Sequence, residues 1–155
     1  MKNTELYERD FVEWTQTTAA LLRQGKFTDL DADSVAEEIE SLRKSYRREL
    51  NARLTLIVAH RIKWDFQPDK RSPSWRKTVF TQRLEIRELV EKNPSLRPVL
   101  EDRETLVDAY ERAVIAAADE TGLLQYDFPQ HCPYTLGQIM DEQFWLDDAT
   151  AVAME

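Results

Sequence analysis

The longest stretch without a helix breaker constrains this chain most. No Gly or Pro occurs between Ala32 and Asp65. Within it Val35, Ile39, Leu42, Tyr46, Leu50, Arg53 and Ile57 follow at steps of four, three, four, four, three and four. That is the period of an amphipathic α-helix. Read as one helix, residues 32–65 span about 51 Å at roughly 1.5 Å per residue. A compact domain of 155 residues has a radius of gyration near ~15 Å and so measures roughly 40 Å across. A straight helix of that length protrudes from such a domain, or it breaks, and the polar cluster Arg43–Arg48 is where a break would fall. The missing breaker favours continuity.

Other helices announce themselves by their ends. Asp10 followed by Glu13 is an acidic capping box, with Phe11, Trp14, Thr18, Leu21 and Leu22 on one face behind it. Gly25 stands where a left-handed cap is expected. Asp31 or Asp33 caps the long segment. Gln67–Pro73 is a loop, and Ser72 with Pro73 opens a helix whose apolar face is Trp75, Val79, Ile86, Leu89 and Val90. Asn93-Pro94 ends it. A short helical turn covers Ser95–Leu100. Leu106, Val107, Tyr110, Ala113, Val114 and Ala117 mark a further helix, with Gly122-Leu123 as a Schellman cap. Tyr126–Tyr134 is irregular and folds back on the bundle. Thr135 with Gln138 caps a short last helix.

Only three glycines and no alternating run argue against strands. The expected architecture is all-α: one domain over residues 1–155, a helical bundle of about four main helices with a short C-terminal helix. Its ordered core covers about residues 6–146, and a tail over 149–155 frays. The start Met1-Lys2-Asn3-Thr4-Glu5 lacks the apolar core of a secretory signal, and no apolar run is long enough for a bilayer. The single cysteine, Cys132, cannot pair within the chain. A cytoplasmic, reducing location is expected.

The net charge of −8 conceals a division. Residues 43–87 carry 13 Lys/Arg against 4 Asp/Glu, and from Asp119 to Glu155 there are 8 acids and no Lys or Arg. A basic middle either pairs with acidic ends or meets an anionic partner.

Five blocks occur in order: Glu37-Glu38-Ile39-Glu40, Ala59–Trp64, Arg71-Ser72-Pro73-Ser74-Trp75, Glu120-Thr121-Gly122-Leu123 and Cys132-Pro133-Tyr134-Thr135-Leu136. Together they resemble a bacterial family catalogued as domain of unknown function 29, over roughly Leu6 to Phe144. The resemblance implies a helical fold and carries over no catalytic residues.

The residues therefore have to be weighed for chemistry directly. Glu38, Glu49 and His60 recur every eleven residues and line one stripe of the long segment. Each step is about 16.5 Å, too far for a shared metal within one helix. Polar residues flanking a seam are the simpler reading, and an enzyme or metal site using His60 or Cys132 is the least favoured. His131 and Cys132, as sequence neighbours, point apart. Lys70, Arg71, Ser72, Ser74, Trp75, Arg76 and Lys77 surround a helix N-terminus, which favours an anion. Arg43, Lys44, Arg47 and Arg48 form a basic band. Anion or nucleic-acid binding through residues 43–77 is thus an alternative. No phosphate loop or serine-nucleophile motif is present. No cofactor or metal is expected. The leading expectation is a non-catalytic protein-interaction module that can form a homodimer, since a protruding helix would bury its seam against a second copy. A membrane partner is not expected.

Overall fold

The computed structural model describes residues 3–144; the expected fraying over 149–155 lies outside them. Every described element is helical. In chain order these are α1 (Asn3–Arg9), α2 (Phe11–Arg23), α3 (Ala32–Phe66), α4 (Pro73–Lys92), α5 (Arg97–Glu101), α6 (Arg103–Thr121) and α7 (Leu136–Met140). Short 3-10 turns connect several of them. The all-α expectation holds, and α2, α3, α4 and α6 are the four main helices. α1 was not foreseen. It stops at Asp10, which takes an extended conformation to cap α2 and accepts from the Glu13 amide.

The chain forms two compact units, Met1–Tyr46 and Arg47–Glu155. α3 is a single helix of 35 residues that belongs to both. Asp31 begins it, its carboxylate accepting from the Ser34 amide at 3.4 Å and the Ser34 hydroxyl at 2.6 Å.

In the first unit Leu6, Trp14, Thr18 and Ser34 are buried. Trp14 packs edge-on to Tyr7 and stacks near Phe11, with ring centroids 4.7 and 5.7 Å apart. Gly25, at φ +70°, closes α2 with a Schellman pair: its N–H meets the Leu22 carbonyl and the Lys26 N–H the Leu21 carbonyl.

The second unit holds the main core. Leu50, Leu54, Ile57, Val58 and Ile62 of α3 are almost wholly buried against Val79 and Ile86 of α4 and Ala109, Ala113 and Ala117 of α6. The alanines recur every fourth residue, which lets backbones approach closely on that face of α6. Phe128, Tyr134 and Ile139 complete the cluster. The Tyr126–Tyr134 segment therefore does fold back, and the Tyr110 hydroxyl donates to the Pro129 carbonyl.

At the end of α6 the Schellman expectation is corrected. Gly122, at φ +76°, makes the single bond to the Ala118 carbonyl, and the Leu123 amide is taken by the Thr121 hydroxyl. Thr135 and Gln138 form the expected capping box of α7. Arg83, buried, and Arg87 donate to the Ile139 and Met140 carbonyls and so satisfy the end of that short helix. Burial pulls the Arg83 guanidinium down to about 10, still charged at neutral pH. No helix among the described residues is long and apolar enough to cross a membrane.

Candidate functional site

The polar stripe does not converge. Glu38 accepts from the Tyr7 hydroxyl of α1, and this hydrogen bond raises the tyrosine to about 12. Glu49 pairs one turn on with Arg53 at 2.9 Å, which also reaches Gln82 and Glu85 of α4. His60 bonds the Leu56 carbonyl through Nδ1 at 2.8 Å and stands edge-on to Trp75. Burial holds its imidazole below the ordinary histidine value. Among the described residues no group of three His, Cys, Asp or Glu is placed to hold a metal ion.

His131 is exposed and Cys132 half-buried. The thiol donates to the Tyr134 carbonyl at 3.4 Å, and burial pushes its pKa up. A raised thiol is mostly protonated at neutral pH and a poor nucleophile.

The cations around the α4 N-terminus are largely engaged inside the second unit. Arg71 donates to the Trp64 carbonyl at 2.8 Å and lies 4.8 Å from that ring's centre, with Arg76 at 5.1 Å. Lys63 is buried, pairs with Glu120 at 2.6 Å and lies over Trp75. Arg61 pairs with Asp65 and stacks on Phe144 at 4.1 Å. Trp75 is thus half-buried between His60 and Lys63. The Ser72 side chain does not cap α4 and instead meets the Ser74 hydroxyl at 3.0 Å. Lys70 and Lys77 point to solvent.

The basic band of α3 is different. Arg43, Lys44, Arg47 and Arg48 are all exposed and form no ion pair with a described residue. The apolar seam beside them is bare as well: Ile39 and Leu42 are each 61% exposed and Tyr46 44%. In the first unit this seam and α2 border an open apolar groove of about 190 Å³, walled by Ala19, Leu22, Val35, Ile39 and Leu42. The same heptad-like spacing is buried only from Leu50 onward.

With this helical frame set out, the family comparison is decisive: the family described as Domain of unknown function DUF29 matches residues 6–145. The chain belongs to that family. Curated proteins and solved structures give no match. The description of DUF29 names no activity, so function has to rest on surfaces. Beside the α2–α3 groove this DUF29 chain has a second one, along α6 in the other unit, that the sequence did not signal. Its cavity of about 640 Å³ lies between Val114 and Ile115 of α6 and the Tyr126–Gln130 segment. An adjoining cavity of about 220 Å³ runs on to Arg103, Val107 and Cys132. The α6 wall uses Leu106, Val107, Tyr110 and Val114 of the apolar face read in the sequence, whereas the other wall is irregular chain whose placement periodicity does not show.

Proposed function

We propose that this protein is a non-catalytic protein-interaction module that works as a homodimer through the α2–α3 groove. One observation carries the reading: the seam of α3 has coiled-coil spacing over Val35, Ile39, Leu42 and Tyr46, and among these Val35 is half-buried while the other three are exposed. Two further features support a second copy as the occupant. The steps of four, three and four place these residues at alternate core positions of a heptad. A two-fold axis between Glu40 and Ser41 then sets Ile39 level with Leu42 of the partner subunit, and Val35 level with the partner's Tyr46. The charges also agree with an antiparallel pairing. Asp33, Glu37, Glu38 and Glu40 occupy the first half of this stretch and Arg43, Lys44, Arg47 and Arg48 the second. Antiparallel packing brings acidic and basic halves level, whereas parallel packing sets like charges side by side. The isologous contact closes at two copies. A cytoplasmic location accords with a lone cysteine held as a thiol.

Light scattering over a concentration series tests the proposal. A mass of two chains that falls toward one in molar salt is expected. A mass of one chain throughout sinks it.

A second reading draws on the four unpaired cations of α3, which suit a phosphate backbone. Titration with single- and double-stranded RNA and DNA at two salt concentrations separates the two. Binding that weakens steeply with salt, by a chain of monomeric mass, would favour nucleic acid. An enzyme built on His60 or Cys132 has the least support, since their geometry is that of packed, bonded side chains.

A further inference from the structure

We propose that Glu40 and Arg43 determine what pairs with the α3 seam: each chain's Glu40 meets the partner's Arg43, which selects a second copy of this chain running antiparallel. The proposal rests on the homodimer reading and names the contact that gives it specificity. Every residue it uses lies in the first unit.

The two flanks of the seam differ. From Ala32 to Tyr46 of α3, Ser34 is buried, Val35 and Glu38 are half-buried, and the rest are exposed. The covered flank is the one turned to the preceding helices. Glu38 accepts from the Tyr7 hydroxyl of α1, and it walls the groove together with Trp14 and Thr18 of α2. Successive residues of an α-helix are turned by about 100°. From the mid-line of Val35, Ile39, Leu42 and Tyr46, Glu38 therefore stands about 70° to one side. Arg43 stands about 70° and Glu40 about 130° to the other side, which is the open flank.

A two-fold axis turns each flank toward its own copy. With that axis between Glu40 and Ser41, the partner's Arg43 comes level with Glu38. It is then offset from Glu40 by two residues, about 3 Å at roughly 1.5 Å per residue. An arginine side chain is long enough to reach across at that offset. Ion pairs beside an apolar seam are the contacts that set partner and orientation between paired helices. Symmetry makes this one twice. A parallel pair instead turns the Arg43 flank toward the partner's Glu38, on the side that Tyr7 and α2 already occupy. It also takes Glu40 out of reach of the partner's Arg43.

Charge exchange in the full chain tests the contact. Glu40→Arg and Arg43→Glu each bring like charges together twice in a homodimer. Either alone should raise the dimer Kd about tenfold. In molar salt both should converge on the wild-type Kd. Mixed in equal amounts, the two variants restore opposite charges at both contacts. Native mass spectrometry separates the three dimers by mass and should show the mixed one well above its statistical share of one half. Both positions are exposed, and the mixed dimer itself reports intact folding. A wild-type dimer whose single variants associate as tightly as it does, or whose mixed dimer stays at one half, overturns this inference and leaves the dimer standing. A wild-type mass of one chain overturns the dimer reading, and this contact with it.

Discussion

Leu42→Gln probes the bare seam at its centre. Leu42 is 61% exposed in the single chain, and glutamine is a good helix former, so the substitution leaves the fold of the protomer intact. Full burial of a leucine is worth about 1.5–3 kcal/mol, so with about 2 as the working value the exposed 61% can gain about 1.2 kcal/mol on association. Two-fold symmetry applies each substitution twice. The dimer therefore loses about 2.4 kcal/mol, a rise of about 50-fold in Kd. The cost of immobilising two chains is common to both proteins and cancels in the comparison, which is why the ratio is safer than either affinity. Sedimentation equilibrium on wild type and variant, across the same concentrations, reads that ratio, and circular dichroism confirms equal helix content. Identical association curves for the two proteins would refute the reasoning, whether both are dimers or both monomers.

Three other outcomes follow from the packing and the pKa shifts. Leu54, fully buried in the second unit, should lose about 2–5 kcal/mol of stability as Leu54→Ala in urea denaturation, several times the effect of Leu42→Gln on the same assay. His60 is held below its ordinary value by burial, so its neutral form is favoured in the fold. The unfolded chain then binds more protons. The stability this contributes is present above an unfolded pKa near ~6.5 and is lost as pH falls from there through the folded value. His60→Gln should flatten the slope of stability against pH in that window, and an unchanged slope would argue against a desolvated imidazole. Cys132, raised by burial and bonded to the Tyr134 carbonyl, should react with an uncharged alkylating reagent at neutral pH well below the rate of free cysteine. A rate equal to or above that of free cysteine would reopen a nucleophilic role.

Much of the helical frame was legible because helix ends depend on local chemistry. Asp10, Asp31, Thr135 and Pro73 mark starts through bonds or dihedrals made within four residues. Gly25 and Gly122 mark ends through a positive φ that costs other residues more. What escaped was set by distant partners. The buried cations Lys63 and Arg83 look like surface residues until Glu120 and the Ile139 carbonyl come to meet them. Both partners lie more than fifty residues away. Trp75 and Arg71 looked equally fit for stacking on a base, yet their neighbours in the fold are Lys63, His60 and Trp64. The α6 groove escaped for a related reason. Its second wall, Tyr126–Gln130, is irregular chain whose placement no periodicity shows.

The same limit applies along α3, and there it carries functional content. Its helical spacing continues from Val35 to Ile57, with Arg53 as the one charged member, so periodicity alone draws no line between a covered and an uncovered part. Burial nevertheless begins only at Leu50, while Ile39, Leu42 and Tyr46 stay open. Periodicity reports which residues are able to pack, not whether the protomer supplies anything to pack against. Val35, Ile39, Leu42 and Tyr46 lie on one stripe across three turns of a helix whose other faces, from Ser41 to Arg48, are polar. A seam apolar in pattern but exposed at Ile39, Leu42 and Tyr46 among the described residues suits the partner surface proposed above. The opposed charges on its two halves make a second α3, running the other way, the complement that requires no further molecule.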